Sequence, residues 1–85
     1  MKPKELTELA DGGDAEACYG LGKRLYAGKG VKKSYEQARE RFEAGAAKDH
    51  AGCCYELGEM LIAGLGGESD DERAAGLVRK AAGGG

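Results

Sequence analysis

The chain has no tryptophan, one proline, one histidine and one phenylalanine, and aromatic residues make up 6% of it. A core built from large rings is therefore excluded. What packs must pack small, chiefly alanine, leucine and the sixteen glycines of an 85-residue chain. A chain of this length forms one domain and buries roughly 60 to 65% of its unfolded surface, so the core is small. No segment approaches the ~20 apolar residues of a membrane span, and residues 1–14 contain no apolar run long enough for a signal-peptide core. A cytoplasmic location without membrane association is the expectation. Cys18, Cys53 and Cys54 are odd in number, and an adjacent pair rarely bridges itself, so reduced thiols fit better than a secreted disulfide framework.

Basic excess is also missing. The net charge is −2 and the pI near 5.4, which argues against a nucleic-acid partner whose affinity comes from neutralised phosphates. The charge is uneven, however: residues 14–49 carry eight basic and six acidic groups, residues 50–85 three basic and six acidic. End-to-end self-association is one use of such asymmetry, and a solvated surface is the simpler one.

Two glycine-rich stretches look like phosphate sites and fail on spacing. In Ala27-Gly28-Lys29-Gly30-Val31-Lys32-Lys33, Gly30 stands where a phosphate loop needs Ser or Thr after its lysine, and Gly22 lies one residue too far upstream. In Gly20-Leu21-Gly22-Lys23-Arg24-Leu25, Leu25 replaces the third glycine of a dinucleotide fingerprint.

The chain instead repeats itself. At an offset of 36 residues, identities fall at Ala15/Ala51, Cys18/Cys54, Tyr19/Tyr55, Leu21/Leu57, Gly22/Gly58, Leu25/Leu61, Ala27/Ala63, Gly28/Gly64, Gly30/Gly66, Glu36/Glu72, Ala38/Ala74 and Ala46/Ala82. The second copy keeps the glycines of Ala27–Lys33 and none of the lysines. Glycines that recur alone serve the backbone, ending one helix and turning the chain toward the next; the lysines read as surface.

Each copy reads as two helices. Ala17, Leu21 and Leu25 recur at i, i+4, i+8 behind an N-cap at Asp14, and Ser34-Tyr35-Glu36-Gln37 fits a capping box before Ala38, Phe42 and Ala46. Cys53, Leu57 and Leu61 repeat the first pattern. Ser69-Asp70-Asp71-Glu72 starts the last helix, with Ala74, Val78 and Ala82 on one face. A leading helix from Pro3 to about Ala10, with Leu6 and Leu9 inward, makes five. Gly22 and Gly58 are expected to let paired helices approach closely, with Ala38 and Ala74 facing them.

This 36-residue unit, Ala15-Glu16-Ala17-Cys18-Tyr19-Gly20-Leu21-Gly22, then Gly28-Lys29-Gly30-Val31, then Tyr35-Glu36-Gln37-Ala38, resembles the Sel1-like repeat, a relative of the tetratricopeptide repeat. Leu57-Gly58, Gly64-Leu65-Gly66, Ala74 and Lys80-Ala81-Ala82 carry the likeness in the second copy. Gly67, Gly45 and Asp49 depart from it, where Val, Ala and Gly are usual. The resemblance implies an all-α solenoid: a cap over residues 1–13 and repeats over 14–49 and 50–85. It also implies a non-enzymatic adaptor or scaffold that binds a protein or peptide. Its concave wall would be lined by Tyr19, Lys23 and Tyr26 of the first copy and Tyr55, Glu59 and Ile62 of the second, with Lys23 opposite Glu59. Tyrosine suits such a surface, being a large rigid ring with a polar tip.

Other chemistry is thin. Asp14, Cys18, His50 and Cys54 form a square of metal-ligand residue types with Cys53 at its edge, but helices ~8 to 10 Å apart ask short side chains to reach too far. Packing is the simpler reading, and no cofactor is expected. A Cys-His nucleophile would need His50 with Cys53 or Cys54, and no Asp or Asn is placed to orient it. Glu68, Asp70, Asp71 and Glu72 lack cation-loop spacing and suit a helix N-terminus. After Ala81-Ala82 no further helix follows, so Leu77 and Val78 are expected near an apolar edge. Homodimerisation there, with a regulatory or inhibitory role, is the alternative to an adaptor, and a metal- or redox-sensing Cys/His site is a further one.

Overall fold

The structure is a computed structural model in which residues 2–84 are described. Among the described residues it holds five α-helices and no strand: α1 (Pro3–Asp11), α2 (Ala15–Ala27), α3 (Tyr35–Ala46), α4 (Ala51–Ala63) and α5 (Asp71–Gly84). Consecutive helices pack on one another across α1·α2, α2·α3, α3·α4 and α4·α5, and α2 also touches α4. The result is a solenoid of two hairpins with α1 against the first, 34 × 23 × 15 Å in extent.

Local chemistry sets the helix ends. The Asp14 carboxylate accepts from the Ala17 N–H (2.9 Å), the Ser34 hydroxyl from Gln37 N–H (3.1 Å) and the Asp70 carboxylate from Arg73 N–H (3.0 Å), each satisfying a donor the first turn leaves free. The cap of α5 is thus Asp70, within the expected start signal Ser69-Asp70-Asp71-Glu72. α4 is capped by His50, whose Nδ1 accepts from Cys53 N–H at 3.1 Å. His50 stands 36 residues after Asp14 and does the same work with an imidazole. Both first helices end in a left-handed glycine, Gly28 (φ 71°) and Gly64 (φ 68°), where a Cβ would be strained. Both loops then close identically, Ser34 N–H donating to the Leu25 carbonyl and Asp70 N–H to the Leu61 carbonyl.

The core runs through all five helices and includes Leu6, Cys18, Leu21, Leu25, Phe42, Cys53, Cys54, Leu57, Met60, Leu61 and Ala74. In α1 the inward stripe is Leu6 and Ala10, while Leu9 is 43% exposed, contrary to expectation. The offset of 36 places Leu9 in register with Gly45, and Gly45 lies directly against α4: a Cβ there would stand 2.2 Å from the Cys53 sulfur. Leu9 lies beside the start of α2, near Asp14, Glu16 and Ala17, and stays partly exposed there. The Gly45–Cys53 contact explains why Gly45 replaces the usual alanine. Cys53, larger than its counterpart Ala17, takes the room that the alanine methyl would need. Burial pushes the Cys53 thiol up to about 12 and raises that of Cys18 as well, and a protonated thiol is a poor nucleophile and metal ligand.

The nearest neighbour of Gly22 is the Phe42 ring. A Cβ on Gly22 would lie 2.6–2.9 Å from three ring carbons of a side chain that is fully buried, whereas one on Gly58 would meet the Val78 methyl at 2.9 Å and the Ala74 carbonyl at 3.3 Å. Gly67 departs from the repeat for a similar reason: a Cβ there would be 2.7 Å from the Arg39 guanidinium, which donates to the carbonyls of Leu65 (3.2 Å) and Glu68 (2.8 Å) and pins the α4–α5 loop to α3. A bidentate pair, Arg73 with Glu43 (2.9 and 2.5 Å), ties α5 to α3 and holds the Glu43 carboxyl below its usual range through its hydrogen bond to Arg73. Asp49, where glycine is usual, adopts φ 62° and pairs with Lys80.

Two consequences follow for stability. Gly22→Ala should destabilise the fold by about 1–3 kcal/mol through overpacking, while Gly76→Ala on α5, where a Cβ meets nothing within 4 Å, should stabilise it by about 0.5–1 kcal/mol through helix propensity; urea unfolding of the two variants compares opposite signs of one substitution. Gly45→Ala should cost about 1–3 kcal/mol alone and much less combined with Cys53→Ala, a coupling that a double-mutant cycle measures.

Candidate partner-binding face

The first helix of each hairpin, α2 or α4, presents one edge to the other, and the two edges together form the face expected to meet a partner. Tyr19 and Tyr55 occupy one register on it and have different fates. Tyr19 is half-buried: its ring centroid lies 5.1 Å from that of His50 and 6.5 Å from that of Phe42, and a Cβ on Gly52 would come within 2.7 Å of it. It seals the seam between α2 and α4, so it is packing first and surface second. Tyr55, by contrast, is 48% exposed.

Charge follows the same i, i+4 geometry with opposite sign. The Lys23 ammonium lies 5.1 Å from the centroid of the Tyr19 ring, a cation–π contact rather than the expected partnership with Glu59. Glu59 instead accepts a hydrogen bond from the Tyr55 hydroxyl, and its charge, ahead of that bond, holds the phenol above its usual range. The two arrangements leave the α2 edge basic and the α4 edge acidic.

Between them lies a hollow of about 230 Å³ lined by Tyr26, Tyr55, Glu56, Glu59, Phe42 and Met60. Phe42 and Met60 are buried and form its floor; Tyr26, from α2, and Tyr55, from α4, stand exposed at its mouth. Three expected residues, Tyr26, Tyr55 and Glu59, therefore converge. Ile62 is 56% exposed on α4 but outside the hollow, and Lys23 lines a separate depression with Arg24, Ala27 and Lys29. Sequence reasoning missed Glu56 and Met60, which share a helix face at i, i+4. Met60 has Arg24 at its counterpart position, so the repeat offered no hint that an apolar side chain lines this place. Phe42 was read as core only, yet the same ring serves the hollow.

The square of metal-ligand types is not assembled. Asp14 is spent on its cap, His50 on its own cap through Nδ1 with Nε2 2.7 Å from the Glu16 carboxylate, and the Cys18 thiol points at the Ala10 carbonyl at 3.8 Å. Cys54 is fully buried. Among the described residues no group of three or more His, Cys, Asp or Glu side chains is placed to hold a metal ion. At the far end, Leu77 and Val78 are half-buried, with Leu77 packed on the core and Val78 near Gly58. Among the described residues no helix is long and apolar enough to cross a membrane.

Comparison with known proteins bears on the whole chain. The family pattern described as Sel1 repeat matches residues 15–50 and again 51–85. A crystal structure of a Sel1 repeat protein from Oxalobacter formigenes superposes with a TM-score of 0.94 at 25% sequence identity, covering 98% of this chain and 34% of that one. The chain thus spans about a third of that relative's length. No curated protein matches it. Sel1 repeats are typically non-enzymatic helical scaffolds that mediate protein–protein interaction. With the pattern matched over both units and the helical path shared with a solved relative, the chain belongs to the Sel1 repeat family.

Proposed function

We propose that the face formed by α2 and α4 binds a segment of another protein, with the hollow between Tyr26 and Tyr55 taking its anchoring side chain. The observation that carries this is the composition of the hollow: an apolar floor of Phe42 and Met60, two exposed tyrosines at the mouth and the carboxylates Glu56 and Glu59 beside them. Such a site favours an aliphatic or aromatic anchor next to a basic residue, because rigid rings exclude water around the anchor and the carboxylates steer the charge. The protein would act as an adaptor, with residues 1–13 as cap and 14–49 and 50–85 as the two units. Its reduced, buried thiols support a cytoplasmic setting.

A photo-crosslinking side chain placed at Ile62, exposed and outside the hollow, tests the reading in the native host. A discrete crosslinked protein is expected, reduced roughly tenfold or more by Tyr55→Ala and lost with Glu59→Lys. Crosslinks indifferent to both substitutions, or none, would refute it. Leu77 and Val78, apolar and only half-buried on α5, support a second reading, self-association at that helix. Light scattering then finds a dimer that Leu77→Glu converts to monomer, with circular dichroism unchanged; a monomer at every concentration refutes it.

A further inference from the structure

His50 is the chain's one histidine, and histidine is the side chain that ordinarily changes charge between pH 5 and 8. The first helix of the first unit is capped by the Asp14 carboxylate, and that of the second by the His50 ring. A carboxylate accepts through either oxygen. An imidazole accepts only through a nitrogen that carries no proton. His50 Nδ1 accepts from Cys53 N–H at 3.1 Å, and Nε2 stands 2.7 Å from the Glu16 carboxylate. One neutral tautomer satisfies both contacts, with the proton on Nε2.

A second proton changes the two sides of the ring in opposite directions. At Nδ1 the acceptor becomes a donor, so N–H faces N–H and the first turn of α4 loses its cap; the imidazolium also stands at the positive end of the α4 dipole. On the α2 side the same proton strengthens what is already there. Nε2 keeps its bond to Glu16 and gains opposite charge, and the Tyr19 ring, its centroid 5.1 Å from that of His50 and tilted by 34°, attracts a cation. The other charges nearby are engaged elsewhere. In the turn before α4, Lys48 donates to the Gly13 carbonyl and Asp49 pairs with Lys80 of α5, while Glu43 of α3 is held by Arg73 and Lys23 of α2 lies over Tyr19. On α4 the Cys53 thiol, pushed up to about 12 by burial, stays neutral, and Cys54 is fully buried. Among the described residues Glu16 is the one charged group paired with the ring.

We propose that His50 is an acid-operated latch between the two units. Neutral, it caps α4 and bridges to α2; protonated, it releases the Cys53 N–H and stays with Glu16 and Tyr19, leaving the first turn of α4 uncapped. The latch lies inside the array, where α2 meets α4, and is independent of the partner-binding face.

Nuclear magnetic resonance of the whole chain between about pH 7.5 and about pH 5 tests it. At the upper end the ring nitrogen shifts should place the proton on Nε2 and leave Nδ1 bare. As the ring titrates, the protection of the Cys53 amide against hydrogen exchange should fall about fivefold or more, while contacts between the His50 and Tyr19 rings persist. The Ala17 amide, capped by the Asp14 carboxylate, should not follow that titration, because carboxylates change charge at lower pH. His50→Asn keeps an acceptor at the cap with nothing to titrate, so the Cys53 change should vanish; circular dichroism verifies that the variant is folded. A Cys53 amide indifferent to the state of the ring, a neutral ring with its proton on Nδ1, loss of the Tyr19 contacts on acidification, or a Cys53 change that survives in His50→Asn would each overturn the proposal.

Discussion

The contact between Gly22 and Phe42 governs the first hairpin and much of what lies around it. Phe42 is the chain's one phenylalanine and is fully buried. Its ring can sit between α2 and α3 only because Gly22 has no side chain, and burying a ring of that size contributes on the order of 2–3 kcal/mol. The other side of the same ring forms part of the floor of the hollow between α2 and α4, and Tyr19 packs near it. Support for the hairpin and shape of the candidate binding face therefore share one side chain.

A protein this poor in aromatics holds together by matching small residues to larger ones, and the choice differs from one interface to the next. Gly22 admits Phe42, Gly45 admits Cys53, Gly52 admits Tyr19 and Gly67 admits the Arg39 guanidinium. Close-packed interiors leave little slack at such points. The departures from the usual repeat at Gly45 and Gly67 are adjustments of this kind, and they leave the second unit well joined to the first.

Burial in such a fold is decided between neighbouring units. A solenoid buries the faces between units and leaves exposed whatever the next unit would have covered. Tyr19 is occupied because the start of α4 packs against its ring, while Tyr55 stands exposed at the mouth of the hollow.

The number of helices, their order and most of their ends were legible in the residues, because those features depend on chemistry within a few positions: an acceptor at Asp14 or Ser34, a left-handed glycine at 28 or 64, an apolar stripe of 3.6-residue period. The 36-residue repeat followed from the same local rules applied twice. Tertiary structure alone decided which member of each equivalent pair is buried, that His50 could stand in for an aspartate, that Leu9 turns outward and that Tyr26, Glu56 and Glu59 meet over Phe42 and Met60. The physical reason is that local conformation is set by neighbours along the chain, whereas burial and convergence are set by the helix stacked alongside, so equivalent residues such as Tyr19 and Tyr55 have different surroundings.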